Sequence, residues 1–597
     1  MDLNQRTNML PRERKFIQSN DGGGTISASY AIDLHENNGK VRVSKPTAVI
    51  FDSSTDIDEK DGASVSPDIG NKIDKSASSI LRYSGRFCAF AFDPYLTKAS
   101  ADSLGSDVLD VDSWYQEDST NAPDSGGDAV VWNGKIIAID NTVSAGFLKA
   151  YNGSSWSTYL GTGGTISNAM PRIDFIQVSE DGNLYVVDEL NYVHRIKPDN
   201  TAEFGDDGDQ GTLDFSARPY EITCTGSNST RLFIGYRNTY TNKGGIIEWD
   251  MSATSLTANK VHKLSSIPRC LPTKDDVQYA VMSDGTIKYF NNIQFVNYSG
   301  MRLPKISGRY AEDFIHPNGW DVKDDMLHLL IKGGVSNDDS FIADSTAELN
   351  FPSAIYCVDP DVGVYPRYSL TSNIGTQQQY GSAAVYSVGA LRNLETDYAG
   401  FFASYTLYTG DSASDINSVL AYVDEENSFD NKAYILFDSV ERSKSSNNIE
   451  LVHRVMESGN SIRAFYQEYE ADEQVVNGVW NDTTHLNTLE TVDVDDKWLA
   501  FVKIGPGAGR FLRVDSTKTG TTSVITFKDE NTEANKNDSV TILLIKFRYF
   551  GTANSSTKDY TTLTFPSGAK TRKVKVLYEL TQVAGSVNEL DYTLLDS

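Results

Sequence analysis

The sequence predicts an all-β protein: a six- or seven-bladed β-propeller followed by one or two C-terminal β-sandwich modules. Three observations carry this. First, six short hairpin turns recur along the first half of the chain: Ser84-Gly85, Asn133-Gly134, Asp181-Gly182, Ser229-Thr230, Asp275-Asp276 and Asp324-Asp325. The second residues of successive pairs stand 49, 48, 48, 46 and 49 apart. A strand–turn–strand unit at such a period is the signature of a propeller blade. Second, strand-forming Tyr, Phe, Val, Ile and Thr recur throughout, with no amphipathic helical stretch longer than about ten residues. Third, the regular beat stops near residue 430, and longer alternating strands follow.

Each turn sits between two apolar runs. The clearest unit reads Phe175-Ile176-Gln177-Val178, then Ser179-Glu180-Asp181-Gly182, then Asn183-Leu184-Tyr185-Val186-Val187. Asp-Gly and Asn-Gly supply the positive φ angles that tight hairpins need. A second hairpin follows several of these units, at Asn152-Gly153, at Pro198-Asp199-Asn200 and at Asn291-Asn292. Two hairpins per period make four strands, which is one blade. A seventh unit is expected from Tyr380 to about Tyr422, spanning Val385, Ser387 and Phe401–Tyr408, displaced by an insertion around Gly333–Asn350. The competing reading is an irregular stack of antiparallel sheets with fortuitous spacing.

Four regions follow. Residues 1–25 read as a flexible basic arm, with Arg12, Arg14 and Lys15 as residues for docking onto an acidic neighbouring subunit. Residues 26–78 read as a lead-in hairpin around Asn38-Gly39 and an Asp/Ser-rich acidic loop. Residues 79–430 are the propeller, and 431–597 the sandwich region. In the latter, residues 449–456 and 461–469 are expected to pair as a hairpin, as are 498–504 and 510–514. Residues 573–580 alternate apolar and charged, the pattern of a strand with one buried face.

The chain has 597 residues, with 53 basic and 81 acidic side chains, for a formal charge of −28. Tight, sequence-independent binding of nucleic acid needs many Lys/Arg–phosphate contacts, and this balance argues against it. It suits a surface past which DNA moves without sticking, and equally an ordinary acidic surface. Met1–Gln18 has no apolar core of a secretory signal. No stretch approaches the ~20 apolar residues needed to span a bilayer. Cys88, Cys224, Cys270 and Cys357 have no metal-like spacing and are expected to be buried thiols.

Motifs of chemistry are scarce. GxSxG, HExxH and P-loop patterns do not occur. Gly505–Gly509 is followed by the strand-like run 510–514, where a nucleotide loop requires a helix. The seven histidines, His194 and His328 among them, show no ligand spacing. The acidic groups Asp56/Asp58/Asp61, Asp206/Asp207/Asp209 and Asp493/Asp495/Asp496 do not fit a calcium loop. Ser179-Glu180-Asp181-Gly182 and Ser283-Asp284-Gly285-Thr286 only partly echo the Asp-box turns of sialidase-type propellers. No catalytic residue, cofactor or metal is expected, and the chain reads as a non-enzyme.

The layout resembles that of virion proteins of tailed phages, nearest to the tail nozzle or tail tubular proteins of short-tailed phages. The resemblance lies in a short leading arm, the segment Ala31–Ser53 with its basic-plus-Pro stretch Lys40–Pro46, a propeller, and a last strand at Arg572–Leu580. It implies a homo-oligomeric ring, commonly of six copies, in the virion tail, touching other virion proteins and passing genomic DNA without specific binding. The alternative is a carbohydrate-binding or carbohydrate-processing propeller used in host recognition.

Overall fold

The fold comes from a computed structural model. It describes residues 26–34, 40–52, 57–59, 64–65, 76–84, 86–92, 95–99, 114–116, 123, 127–251, 260–304, 310–333, 351–360, 363–370, 385–393, 399–408, 416–424 and 431–437, and strand segments between 440 and 594. Among these residues every regular element is a strand.

Six blades are built from consecutive strands. Blade one comprises Ser79–Tyr83, Arg86–Phe92, Tyr95–Ala99 and Trp114–Gln116. Blade two comprises Ala129–Trp132, Lys135–Asn141, Gly146–Tyr151 and Trp156–Leu160. Blade three runs from Ile173–Val178 through Leu184–Asp188 and Tyr192–Ile196 to Ala202–Glu203. Blade four holds Tyr220–Ser227, Leu232–Asn238, Lys243–Trp249 and Lys260–Lys263. Blade five starts with Pro268–Cys270 and continues to Phe295–Arg302; blade six holds Ile315–Lys323, Met326–Ile331, Ala354–Asp359 and Gly363–Ser369. A further, composite sheet closes the ring. Its strands Val385–Asn393, Ala399–Tyr408 and Ile416–Asp424 take Thr47–Asp52, from far upstream, as the outer strand. The first strands touch one another in a closed circle from blade one through the composite sheet and back, so they surround the axis.

All six turns of the beat join a first strand to a second. Asn133-Gly134 sits at φ 48° and 71°, Asp275-Asp276 at 49° and 62°, and Asp324-Asp325 at 54° and 59°. Short polar side chains tolerate this left-handed backbone, which matches the twist of paired strands. The turns are also sockets for the preceding blade. Tyr83 Oη donates to Gly134 O at 3.0 Å, and Trp132 Nε1 to Gly182 O at 2.8 Å. Ser229 N donates to Asp276 Oδ1 at 2.6 Å, and Lys274 Nζ meets Asp325 Oδ1 at 2.8 Å. The 48-residue beat is therefore a chain of blade-to-blade latches. Between blades the core is apolar: Trp249 and Tyr185 meet edge to face at 5.5 Å between blades three and four.

The lead-in residues are stitched to the far end of the propeller. Arg367 on blade six is fully buried and donates through Nη2 to Asp33 Oδ2 at 3.1 Å. Ser44 Oγ donates to Arg367 O, and Thr47 Oγ1 lies 3.2 Å from Tyr405 Oη. Residues 47–52, expected in the lead-in hairpin, thus complete the propeller's last sheet. The insertion 334–350 lies outside the described residues and joins two strands of blade six that pair directly.

In the C-terminal region one sheet pairs Ile26–Tyr30 with Asn431–Phe437, and Lys573–Gln582 with both Asn431–Phe437 and Ser461–Tyr469. A larger sheet holds Asn448–His453, Trp498–Lys503, Arg510–Thr519 and Glu589–Leu594. The expected hairpin of 449–456 with 461–469 does not form: 461–469 pairs in continuous register with 573–582 instead, and 448–453 pairs with Asp559–Thr564. The expected hairpin of 498–504 with 510–514 is present.

Candidate functional site on the loop face

The two faces of the propeller carry different groups. The turn face holds the latching turns. The loop face is where first strands begin and where second strands connect to third.

The polar groups near the axis on the loop face converge on Asn318, from the first strand of blade six. Its Nδ2 donates to Ser78 O at 2.9 Å and to Asp128 Oδ1 at 3.1 Å, reaching residues of blades one and two. Its backbone N donates to His316 Nδ1 at 3.1 Å. The strands can close in here because Gly389 has no side chain: a Cβ there would lie 2.2 Å from Ala77 O. The backbone instead pairs directly, Ala390 N donating to Ala77 O at 2.8 Å. The backbone thus joins the composite sheet to blade one, and the Asn318 side chain reaches past both neighbours to blade two.

Asp128 lies just before the first strand of blade two, opposite Ile139, and Asp174 lies in a bulge near the start of the first strand of blade three. Close packing pushes the Asp128 carboxyl up to about 7. Desolvation, and then the charges of Glu189 and Asp188, shift the Asp174 carboxyl upward, with Arg172 opposing, while its side chain stays open to water. Burial holds His316 down to about 4, so its imidazole is neutral and accepts from Asn318. Asp128 can hold a proton near neutrality, the condition for a hydrogen-bond donor or general acid.

Further out, Arg237 and Arg269 lean toward Glu312, at 3.6 and 3.7 Å. Arg237 also lies 3.7 Å from Glu221. These separations are too long for hydrogen bonds.

The same face carries an arc of apolar tips, one per blade. Val143, Leu190 and Tyr240 are 97%, 51% and 86% exposed, at the second-to-third loops of blades two, three and four. Each loop is pinned. Thr142 N donates to Ala145 O at 2.8 Å beneath Val143. Leu190 N donates to Asp188 Oδ1 at 3.0 Å, and Tyr240 N to Asn238 Oδ1 at 3.1 Å. Asp188 is itself held by His194, whose Nδ1 accepts from Gly205 N, leaving Nε2–H to donate to Asp188 Oδ2 at 3.1 Å. His194 is thus a support for the loop. His262 plays a similar part, 2.7 Å from Glu248, and burial holds it below the usual imidazole range.

The docking residues expected from sequence, Arg12, Arg14 and Lys15, lie outside the described residues. Cys88, Cys224, Cys270 and Cys357 are buried free thiols, and burial pushes Cys224 up to about 12. Asp209 serves as a loop cap, accepting from Phe204 N at 3.0 Å. Among the described residues no group of three or more His, Cys, Asp or Glu could hold a metal ion. Sequence reasoning passed over Asp128, Asp174, Arg237 and Arg269.

No known protein family matches the sequence, and no curated protein does. Among solved structures the chain is similar to the computationally designed Ika8 protein, at 12% identity and TM-score 0.33, covering 67% of this chain and 97% of that one. It is also similar to a chain of the mitotic checkpoint complex, at 12% identity and TM-score 0.32, covering 58% and 94%. A third is YCF48 bound to D1 peptide, at 12% identity and TM-score 0.30, covering 50% and 95%. Among the described residues no helix is long and apolar enough to cross a membrane.

Proposed function

We propose that this chain is a structural subunit of a tailed-phage virion, a tail nozzle or tube protein that assembles into a ring around the path of the DNA. The phage assignment rests on layout: leading arm, propeller, and C-terminal strands that take up Ile26–Tyr30 and Lys40–Val43. In this reading the C-terminal sheets pack as a β-sandwich. The observation that carries assembly is the pinned arc of Val143, Leu190 and Tyr240. Apolar tips held rigidly in water cost little further entropy when a partner covers them.

The occupant we infer is a second copy of the chain. The arc lies on blades two to four, whereas the strands that root the N-terminal segment lie against blade six and the composite sheet. Two unlike patches on different sides of a subunit make a head-to-tail contact, the kind that closes into a ring. The basic arm with Arg12, Arg14 and Lys15 adds to that contact. Because Asn318 reaches from blade six to residues of blades one and two beside the axis, we take the lumen for DNA to lie between subunits. A wall of −28 charge per copy keeps a duplex from adhering. Electron microscopy of the full chain tests this: closed rings support it, and monomers at every concentration contradict it.

A second reading is favoured by Asp128. Its carboxyl, raised to about 7 and held beside the axis by Asn318, suits the general acid of carbohydrate processing. A glycosidase and lyase panel, repeated with Asp128→Asn, tests it; no turnover on any substrate ends it.

A further inference from the structure

We propose that Arg237 and Arg269 form a binding site for the carboxylate of a small ligand, and that Glu312 stands in for that carboxylate in this structure. The inference does not depend on assembly and holds for a single copy. Two arginines from adjacent blades converge on one acceptor. Arg269 comes from the first strand of blade five and is mostly buried; Arg237 is the penultimate residue of the second strand of blade four. Their Nε atoms are buried and meet no acceptor among the described residues. A buried guanidinium nitrogen without a partner is costly, and native folds rarely leave two side by side.

Among the described residues, the one group both approach is Glu312. It stays 3.6 and 3.7 Å away and is 76% exposed, so it sits as a loose counter-charge. A ligand carboxylate between the forks could take paired N–H donors from either arginine, the geometry guanidinium is built for. It would displace Glu312 into water at little cost, since an exposed ion pair of this kind is weak. A monoanion fits better than a phosphate dianion: Glu221 already lies 3.7 Å from Arg237, and Glu221 is close enough to Asp174 to raise its pKa. The flanking acid Glu221 is suited to accept from ligand hydroxyls. A hydroxylated carboxylate such as a hexuronate is the class that uses both sets of groups.

Isothermal titration of the full chain with glucuronate is the test, with glucose and inorganic phosphate as parallel probes. Wild type is expected to bind glucuronate, and glucose not at all. Glu312→Gln removes the competing charge and is expected to tighten binding several-fold. Arg269→Met is expected to weaken it by about tenfold or more, the scale of a charged hydrogen bond. Arg269→Lys keeps the charge and the fold but loses the fork, and is expected to weaken binding too, which covers the case where Arg269→Met fails to fold. Unchanged affinity in Glu312→Gln, equal binding of glucose, or phosphate binding as tight as glucuronate would each overturn the proposal.

Discussion

The turn face and the loop face are built from the same strands, yet they treat polar groups in opposite ways. On the turn face, polar atoms find partners one blade away: Trp132 with Gly182, Ser229 with Asp276, Lys274 with Asp325. On the loop face, the Arg237 and Arg269 Nε atoms meet no partner among the described residues, Asp128 resists ionisation, and three apolar tips stand in water. Such groups gathered on one face mark where something else binds. If so, substitutions toward the turn face act on stability, and those on the loop face act on binding or assembly.

The largest loss of stability is expected where Arg367 links the lead-in segment to blade six and lies 3.8 Å from Asp324 of a turn. Asp33→Ala leaves a buried guanidinium without its main counter-charge and is expected to cost about 3–5 kcal/mol in denaturant unfolding. The double change Asp33→Leu with Arg367→Met is expected to recover much of that. A single loss under 1 kcal/mol breaks the account of the seam.

A smaller loss is expected at a latch. Asp276→Ala removes the acceptor for Ser229 N and Oγ and is expected to cost about 0.5–1.5 kcal/mol. Those bonds hold the Asp276 carboxyl below its usual range. The wild-type advantage is therefore present above the unfolded carboxylate pKa and fades as pH falls through the folded value. An advantage that persists unchanged in strong acid would contradict the latch.

On the loop face two pH slopes oppose each other. Asp128 is raised to about 7, so its contribution is full in acid and is lost as pH rises toward 7. His316 is lowered to about 4, so its protonation weakens the fold as pH falls from 6.5 toward 4. Between those limits the two cancel. Asp128→Asn is expected to leave stability rising with pH over that window, and His316→Gln to leave it falling. Parallel curves for both variants break this part of the comparison. The smallest effect on stability is expected for Leu190→Ser with Tyr240→Ser, within about 0.5 kcal/mol of wild type, as befits exposed tips.

How much of this was legible in sequence follows the same division. Tight turns carry their signal locally, because Asn133-Gly134 and Asp324-Asp325 advertise positive φ. All six turns and three of the second hairpins fall where the residues place them. The composite sheet was only half legible. Val385–Asn393 and Ala399–Tyr408 show as strands, but nothing local says that Thr47–Asp52 pairs with Ile416–Asp424. The C-terminal pairing of 461–469 with 573–582 was missed for the same reason: alternation fixes a strand's faces, not its partner. The candidate site was less legible still. Arg237 and Arg269 stand on different blades, and only the ring brings them together at Glu312. Asp128 looks like any loop aspartate until Asn318 arrives from blade six.

The central claim is that the loop-face arc joins copies of this chain into a ring. Mass photometry of the full-length protein beside Leu190→Ser/Tyr240→Ser, with matched unfolding curves, tests it most directly. The account expects a closed oligomer of wild type that falls to monomer in the double variant while stability stays the same. A wild-type monomer at all concentrations, or an oligomer that the double variant leaves intact, would contradict it.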